Sequence, residues 1–424
     1  MEASTGPADS VAEASAEAPH IDIFNPDNYL SGPPFAMFKH MRATRPIWWH
    51  DEPGGRGFWA VTRHADIIQI SRDPGTFSSQ RGATFLQDYP EGSEDLDAMR
   101  FMLLNMDPPN HAKYRNLIRS AFLPRNIAAL EQRIRERCHL ILDHIDGNDG
   151  DFVTQVAGQL PVHVIAEFLG IPAEDREMVF DWGVRLVGFD DPNKSDSYED
   201  SKLVALQVFQ YAGELAQRRY DSPTNDLIST IMHAQVDGAQ LTPMEFASFF
   251  MLLIVAGHET TRNTLAGGML ALLQHPAELA RLVADRSLLP TAVDEMLRWT
   301  AAINYFRRTA TRDVELHGQK IKEGDKVVMF YSSANRDETV FQNPDVFDVG
   351  RKPNDHLAFG IGQHMCLGNN LARLEIRLMF EALIERFPHM ELAGPVERMR
   401  SNFVNGIVSL PVSYRRAASV AAAE

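Results

Sequence analysis

One segment of the sequence is too apolar to lie at a protein surface, and it constrains the fold more than any other. Thr242 can serve as an N-cap, Pro243 suits the first helical position, and Glu245 completes a capping box. The run that follows, FASFFMLLIVAG, is apolar on every side, which is typical of a helix buried in a large core. The pattern continues through HETTRNTLAGGMLALLQ and ends before Pro276, so it predicts a long central helix that crosses the molecule.

The remaining sequence predicts a mostly helical protein with a small β component. Helical periodicity recurs along the first half of the chain, whereas the strand patterns are short and few. The predicted helices are Leu117–Asp146, Val162–Leu169 and Lys202–Tyr220, the predicted strands are Phe58–Thr62, Lys326–Tyr331 and Gly406–Tyr414, and a polar loop is predicted over Phe189–Asp200.

Composition and charge exclude several kinds of function. The formal net charge of −16 argues against general binding to DNA or to an anionic membrane surface. No apolar run reaches the roughly 20 residues that a membrane-spanning helix needs. The N-terminal segment is acidic, rich in Ala and Ser and unlike a signal peptide, so we expect a disordered tail over 1–20. We therefore expect a cytoplasmic protein with no nucleic-acid partner and no membrane span.

A polar island, HETTRN, interrupts the apolar helix directly after Gly257. The zinc motif H-E-x-x-H is excluded, because Arg262 stands where the second histidine would be. A solvent-facing turn is the simpler alternative, although apolar residues flank the island on both sides. Thr260 can bond back to the carbonyl of Ala256, which bends a helix. A bent, buried helix that carries the acid Glu259 beside this hydroxyl would suit the binding of O2 and the delivery of protons.

The second candidate site surrounds a cysteine in the stretch HLAFGIGQHMCLG. The chain has two cysteines, too few for a four-cysteine zinc site or an iron–sulfur cluster held by this chain alone. Cys138 lies in an amphipathic helical pattern and is predicted to be a buried hydrophobe. Gly360 and Gly362 permit a tight turn before Cys366, which precedes a predicted helix whose N-terminus would stabilise a thiolate. Such a thiolate suits haem iron, and an inert buried cysteine is the alternative when the motif is taken alone.

Five motifs resemble those of the cytochromes P450, and they follow one another along the chain in the order typical of that family. They are the cysteine loop F-G-x-G-x-H-x-C-x-G, the helix motif A-G-x-[DE]-T-T, E-x-x-R with a later arginine, H-x-x-x-R, and R-x-A-x-x-D. In this chain they are carried by Phe359 to Gly368, Ala256 to Thr261, Glu295 and Arg298 with Arg351, His111 and Arg115, and the stretch from Arg308. The resemblance implies a mainly α P450 fold with small β-sheets, a single domain over 21–416 with a buried haem, and a flexible C-terminus over 417–424. It overrules the two or three domains that 424 residues alone would favour.

The resemblance also implies roles for single residues around haem b, iron protoporphyrin IX. Cys366 would be the iron ligand, whose electron donation favours cleavage of the O–O bond. Thr260, helped by Glu259, would steer protons to the bound oxygen. Glu295 and its arginine partners would be structural. The other expected haem contacts are His111, Arg115, Arg308, His364, Phe359, Gly360, Gly368 and Ala256.

The reaction implied by the family inserts one oxygen atom of O2 into an apolar substrate. Its electrons would come from NAD(P)H through a ferredoxin reductase and a ferredoxin that docks on the thiolate side. The candidate basic residues for that docking face are Lys113, Arg119, Arg125, Arg373 and Arg377, each of which could equally be an ordinary solvated charge.

Three other functions fit parts of the sequence. A peroxygenase would use hydrogen peroxide, but such members usually lack the acid–threonine pair that Glu259 and Thr260 provide here. A haem sensor or electron carrier is less suited, since there is no C-x-x-C-H motif for covalent haem. A helical interaction protein without haem would purify as a colourless preparation.

The expected substrate is large and apolar. Stretches such as RFMLLNMDPPNH, AGHETTRN and ERMRSNFVNGI resemble bacterial P450s that hydroxylate the terminal carbon of a steroid side chain. Terminal alkane and fatty-acid hydroxylases share part of this pattern and are the alternative. His258 departs modestly from the family motif and leaves the substrate range open. The predicted pocket walls are Phe85, Phe101, Val255, Ile303, Tyr305, Phe403 and Val404, although plain core packing explains any single one as well.

Overall fold

Helices make up most of the regular structure. The computed structural model describes residues 20–147, 149–187, 198–224 and 226–415. The helices are α1 (Phe35–Thr44), α2 (His64–Arg72), α3 (Glu94–Arg100), α4 (Asn110–Arg119), α5 (Pro124–Ala128), α6 (Glu131–Asp143), α7 (Gln159–Leu169), α8 (Arg176–Val187), α9 (Tyr198–Asp221), α10 (Leu227–Met232), α11 (Pro243–Gln274), α12 (Pro276–Ala284), α13 (Leu289–Thr300), α14 (Tyr331–Ala334) and α15 (Asn369–Arg386).

The central helix α11 begins and ends where the sequence predicts. The Glu245 backbone N–H donates to Thr242 Oγ1 over 3.3 Å, and the Thr242 N–H donates to the Glu245 carboxylate over 2.7 Å. This capping box satisfies donors that the first helical turn leaves without partners. The helix runs for 32 residues, and α7, α8, α9 and α13 lie against it. It is therefore buried along most of its length, as its apolar sequence requires.

The strands form one larger sheet and several small ones. Five strands pair in the order β1-β2-β10-β7-β3, three in the order β11-β14-β4, and the rest form two-stranded ribbons. The strands are β1 (Ile47–His50), β2 (Phe58–Val61), β3 (Phe77–Ser78), β4 (Asp149–Asp151), β5 (Gln235–Val236), β6 (Ala239–Gln240), β7 (Tyr305–Ala310), β8 (Val314–Leu316), β9 (Gln319–Ile321), β10 (Lys326–Phe330), β11 (His389–Leu392), β12 (Glu397–Arg398), β13 (Ile407–Ser409) and β14 (Pro411–Arg415).

The predicted helix Leu117–Asp146 is broken into three pieces. The helix α4 ends at Arg119, and Leu123 is extended, with φ −63° and ψ 144°. The ring of Pro124 disfavours a helical conformation in the residue before it, so a new helix has to start at the proline. The prediction therefore identified the helical character of this region and missed the proline break.

The other predicted elements agree with the structure apart from details. The helices over 162–169 and 202–220 lie in α7 and α9, and the strands over 58–62 and 326–331 are β2 and β10, each ending one residue early. The strand predicted over 406–414 is two strands, β13 and β14, separated at Leu410. The predicted loop is helical from Tyr198 onwards, while 189–197 lie outside the described residues. The predicted tails over 1–20 and 417–424 lie outside them as well, apart from His20. Among the described helices, none is both long and apolar enough to cross a membrane.

Candidate active site

A cavity of about 280 Å³ lies between α11 and the cysteine loop. Residues of α4, α11, β7 and α15 line it together with the loop that precedes α15. Ten of the eleven residues predicted to act in catalysis or cofactor binding line this one space, although they come from distant parts of the chain. They are His111, Arg115, Ala256, Thr260, Arg308, Phe359, Gly360, His364, Cys366 and Gly368.

The cysteine loop is held by its glycines and by backbone hydrogen bonds. Gly360 and Gly362 have φ of +63° and +77°, which favour glycine, and a Cβ on Gly362 would lie 2.6 Å from the Ser71 carbonyl oxygen. The Cys366 N–H donates to the Phe359 carbonyl over 2.8 Å. These contacts fix the sulfur at the cavity wall, one turn before α15 begins.

The thiol of Cys366 needs a positive partner before it can ionise. Burial raises its pKa, and the backbone N–H of Gly368 and the charges of Arg115 and Arg373 offset only part of that rise. A coordinated metal ion deprotonates a thiol outright. The site therefore fits a cysteine that becomes a thiolate by binding iron.

The cavity also contains a cluster of cations and histidines. The rings of His111 and His364 are 4.1 Å apart, and Arg115 Nη2 donates to the Met365 carbonyl over 2.5 Å. Burial, followed by the neighbouring arginine charges, lowers the pKa of His111 to about 4. Among the described residues no carboxylate lies within ion-pair distance of Arg115 or Arg308. Buried cations without a counter-charge are costly, so this cluster fits an anionic group such as the two carboxylates of a haem.

The opposite wall of the cavity is one face of α11. Thr260 Oγ1 donates back to the Ala256 carbonyl over 2.8 Å, the hydrogen bond that the sequence predicts, and Thr264 Oγ1 donates to the Thr260 carbonyl over 2.8 Å. Gly257 lies on the same face, and a Cβ there would approach the Ile165 side chain to 2.8 Å. The glycine thus lets α7 lie close to α11 at the cavity.

Glu259 does not line the cavity, unlike its neighbour Thr260. Its Oε1 accepts from Arg262 Nη1 over 2.5 Å and from Asn263 Nδ2 over 3.2 Å. Its Oε2 has no hydrogen-bond partner in the part of the chain that the structure describes. The acid and the hydroxyl that the sequence predicts to act together therefore point in different directions along the helix.

Only one of the seven predicted substrate-pocket residues lines the cavity. That residue is Ile303. Phe85, Tyr305 and Phe403 form an aromatic cluster behind the wall, with ring centroids 5.2–5.3 Å apart, and Val404 packs in the same cluster. Phe101 ends α3 and is 37% exposed, and Val255 is a partly buried residue off the cavity face of α11. The apolar wall is built instead by Leu103, Leu104, Ile165, Phe249, Leu252, Leu253, Leu297, Ala302 and Phe306.

The helical period could have identified part of this wall from the sequence. Counting back from Thr260 by three, four, seven and eight residues gives Gly257, Ala256, Leu253 and Leu252, all of which line the cavity. Val255 lies five residues from Thr260 and falls on another face of the helix. Once one cavity residue on a helix is known, the helical period therefore predicts which other residues of that helix line the cavity.

Glu375 of α15 is a cavity residue that the sequence reasoning missed. It is 2% exposed, burial raises its pKa well above the ordinary value, and its Oε2 has no partner among the described residues. The signal was an acid at a core position, since Leu371 and Leu378 share its face of α15 and are buried.

Known proteins share both the sequence and the fold. The cytochrome P450 family profile matches residues 201–415. The chain is 41% identical over 408 residues to a steroid C26-monooxygenase of Rhodococcus jostii, covering 94% of this chain and 85% of the relative. It is 38% identical over 420 residues to a methyl-branched lipid omega-hydroxylase of Mycobacterium tuberculosis, covering 96% of each chain. A Mycobacterium marinum cytochrome P450 solved with pseudoionone matches with a TM-score of 0.83 and 37% identity, covering 90% of this chain and 94% of that one.

Proposed function

The chain belongs to the cytochrome P450 family and is a haem-dependent monooxygenase. We propose that its haem is held in the cavity by Cys366 and the cation cluster, and that it oxidises an apolar steroid or lipid. The observation that carries the proposal is the cavity itself. One wall presents a cysteine and a cluster of cations that form no ion pair with a carboxylate among the described residues, and the other presents Thr260 on an apolar helix face. A flat anionic macrocycle with a central metal suits the first wall, and a hydrocarbon suits the second.

Cys366 would ligate the haem iron, and the cation cluster would pair with the haem carboxylates. In that cluster, Arg115 and Arg308 carry charge, and His111 and His364 would donate hydrogen bonds. Phe359, Gly360, Gly368 and Ala256 would make the close apolar and backbone contacts. A thiolate-ligated haem, when bound, supplies the activation of O2 with two electrons and two protons that inserts one oxygen atom into a C–H bond. Thr260 would hold a proton at its Oγ1 on the cavity side of α11, and Glu259 would replenish it.

The substrate would be the hydrocarbon end of a steroid or a similar terpenoid or lipid. Two relatives are named for steroid C26 and methyl-branched lipid omega oxidation. The charged lining residues lie with the cysteine loop, α4, β7 and α15, whereas the lining from Phe249 to Thr264 and from Ala302 to Phe306 carries no charge. Such a wall favours an apolar chain end over a carboxylate. A terminal hydroxylase of alkanes or fatty acids is the alternative, and a fatty acid would enter with its methyl end first.

Electrons would come from NAD(P)H through a ferredoxin reductase and a ferredoxin. Three of the five predicted docking residues already have acid partners: Lys113 contacts Asp237, Arg373 contacts Asp294 over 2.8 Å, and Arg377 contacts Glu131 over 3.1 Å. No ion pair within the described residues involves the other two, which are Arg119 and Arg125. We therefore place the ferredoxin contact around these two arginines rather than around all five. The cytoplasmic location and the absence of a nucleic-acid partner stay predictions.

A carbon monoxide difference spectrum of the reduced protein tests the haem site. The red-shifted Soret band typical of a thiolate ligand should appear in the wild type and disappear in Cys366→Ala. Cys138→Ala is the matched control, because Cys138 is buried in α6 away from the cavity lining, and it should keep the band. A band that survives in Cys366→Ala, or a colourless folded protein, would overturn the assignment.

Turnover then tests the substrate. With NADH, reductase and ferredoxin, we expect spin-state shifts and hydroxylated products from neutral steroids with an intact side chain or from methyl-branched lipids. Products from linear alkanes or fatty acids alone would favour the alternative. Equal turnover with hydrogen peroxide and no electron donor would indicate a peroxygenase, and a haem spectrum without any turnover would indicate a sensor or carrier.

A further inference from the structure

His258 lies beside Glu259 on α11, and the proposed function gives it no task. Its ring is 2% exposed. The backbone of Gly158 lies beside the imidazole and raises its pKa. Its Nδ1 lies 3.6 Å from Glu259 Oε2, which is beyond hydrogen-bond length but within reach of a small side-chain movement. The ring therefore joins the buried acid to a backbone turn outside α11.

Two glycines lie near this ring. Gly158 closes a turn of π-helix over Val153–Ala157, and its N–H donates to the Val153 carbonyl over 2.8 Å. Gly183 of α8 lies on another side, where a Cβ would stand 4.0 Å from His258 Nδ1. The residue after Gly158 is the exposed Gln159. The imidazole thus fills the short distance between the Glu259 carboxylate and a turn at the surface.

The partners of Glu259 show where a proton can enter. Its Oε1 accepts from Arg262 and Asn263, and neither a guanidinium nor an amide releases a proton near neutral pH. Its Oε2 has no hydrogen-bond partner among the described residues, and the titratable side chain beside it is His258. An imidazole gives and takes protons in the physiological range more readily than any other side chain. A proton for Glu259 therefore reaches Oε2 most directly through His258.

We propose that His258 is a positioning residue for oxygen activation, which orients Glu259 Oε2 and replenishes its proton from the surface at the Gly158 turn. The inference rests on the proposed function of Glu259 and Thr260. In the step, a proton leaves His258 Nδ1 and binds Glu259 Oε2, while the ring regains a proton from water at the turn. Because the carboxyl group points away from Thr260, its side chain has to rotate toward the cavity before it passes the proton to Thr260 Oγ1. No electrons move in these transfers, since the two electrons of turnover come from the ferredoxin.

The charges around the ring set the direction of the pH effect. Glu259 and Arg262 are charged groups that act on it, and Gly183 and the backbone of Gly158 also lie beside it. Burial lowers the pKa of His258 to about 4 and Arg262 lowers it further, whereas Glu259 and the backbone of Gly158 raise it. The protonated ring is therefore scarce at neutral pH and becomes commoner as the pH falls. Proton delivery to Glu259 should therefore become faster as the pH falls.

The first test compares His258→Phe and His258→Gln with the control His163→Phe in the haem-loaded protein. His163 is a half-buried histidine of α7 whose pKa burial also lowers, and it does not line the cavity. With NADH, reductase and ferredoxin, one measures the share of electrons recovered in product rather than in hydrogen peroxide. Both His258 variants should lower product formation by about 10-fold or more and lose its rise toward acidic pH, since a positioned acid or base contributes roughly 10²–10⁴-fold and a group that acts through another contributes less. The control should behave as the wild type.

The second test does not depend on turnover. In protein labelled with ¹⁵N-histidine, reduced and bound to carbon monoxide, the His258 ring signals are those missing from His258→Gln. Glu259→Gln removes the neighbouring negative charge, so it should shift these signals and lower the pH at which they titrate. His258→Gln keeps a polar side chain beside the Gly158 backbone, so it should fold normally while losing the relay.

Two outcomes would overturn the inference. One is wild-type product yield and pH dependence in both His258 variants, and the other is a ring signal that Glu259→Gln leaves unchanged. Failure of the proposed function looks different, because the wild type itself would then form no product from any apolar substrate. The ring titration would still report whether His258 and Glu259 are coupled.

Discussion

Two buried acid–arginine pairs with the same spacing lie on neighbouring helices, and their surroundings differ. On α13, Glu295 accepts from Arg298 over 2.7 and 2.8 Å, from Arg351 over 3.0 and 3.1 Å, and from the Asp348 N–H over 3.0 Å. On α11, Glu259 accepts from Arg262 and Asn263 through Oε1 alone, and its Oε2 lacks a hydrogen bond within the described residues. Both oxygens of the Glu295 carboxylate accept hydrogen bonds, whereas only one oxygen of the Glu259 carboxylate does so among the described residues.

The difference is one of hydrogen bonding: all the donors that Glu295 needs are in place, whereas Glu259 keeps one oxygen without a hydrogen bond among the described residues. Glu295 and Arg298 are fully buried, and Arg298 also donates to the Asn335 carbonyl. Arg298 and Arg351 both donate to the Val346 carbonyl. A saturated buried charge is costly to disturb, so this pair joins α13 to the segment that precedes the cysteine loop. An acid with a free oxygen can change its protonation or its direction at much lower cost. The same E-x-x-R spacing therefore says little about role until the partners of each oxygen are known.

Removing the negative charge should show the largest contrast. Glu295→Gln leaves Arg298 and Arg351 buried without their counter-charge and should cost about 3–5 kcal/mol of unfolding free energy, or abolish folding. Glu259→Gln removes the counter-charge of one arginine, Arg262, rather than of two, so it should cost clearly less and still bind haem. Urea unfolding followed by circular dichroism measures both. A larger loss of stability in Glu259→Gln than in Glu295→Gln would reverse the comparison.

Acid should destabilise the two regions in different pH ranges. Burial lowers the pKa of His258 to about 4 from an ordinary value of 6.5, so the unfolded chain binds its proton first. Stability should therefore fall as the pH drops from about 6.5 to about 4, by about 3 kcal/mol from this one ring. Burial would raise the pKa of Glu295, but the hydrogen bonds from Arg298, the charge of that arginine and further donors lower it overall. Its contribution is complete above the unfolded value of 4.5 and is lost progressively as the pH falls from there through the lower folded value.

The measurement is the difference in unfolding free energy between wild type and His258→Gln across that range. Taking the difference removes the contributions of the other histidines, such as His111 and His163, whose pKa values burial also lowers. The wild type should lose stability more steeply than the variant between about pH 6.5 and pH 4. Parallel curves for the two proteins would show that His258 is as easily protonated in the folded state as in the unfolded chain.

The sequence predicts which residues share the cavity better than it predicts the direction in which each side chain points. Motif residues such as Cys366, Thr260 and His111 meet at one cavity because each motif carries its own backbone requirement, for example the positive φ at Gly360 and Gly362. The direction of the Glu259 side chain could not be predicted from its motif. It depends on the hydrogen bonds from Arg262 and Asn263 and on which elements pack against α11.

The substrate wall was predicted least well, for a related reason. Phe85, Tyr305 and Phe403 are large and apolar, but they pack on one another behind Ile303 and Phe306. A hydrophobic residue near a pocket is buried equally well whether it lines the pocket or packs behind the residues that line it. Hydrophobicity alone therefore does not separate them, whereas the period of a helix of known orientation does.

The smallest and most specific prediction uses a matched pair of asparagines. Asn354 Nδ2 donates to Glu295 Oε2 and Asn263 Nδ2 donates to Glu259 Oε1, and both bonds are 3.2 Å long. Each hydrogen bond to a charged group should be worth about 1.5–3 kcal/mol at most, and less for Asn354, which is only partly buried. Asn354→Ala should lower stability slightly and leave product formation unchanged, since Glu295 keeps its other donors. Asn263→Ala releases one of only two donors to Glu259, so the share of electrons recovered in product should change as well. If the two variants altered product formation equally, the free oxygen of Glu259 would have no special role, and the contrast between the pairs would be one of stability alone.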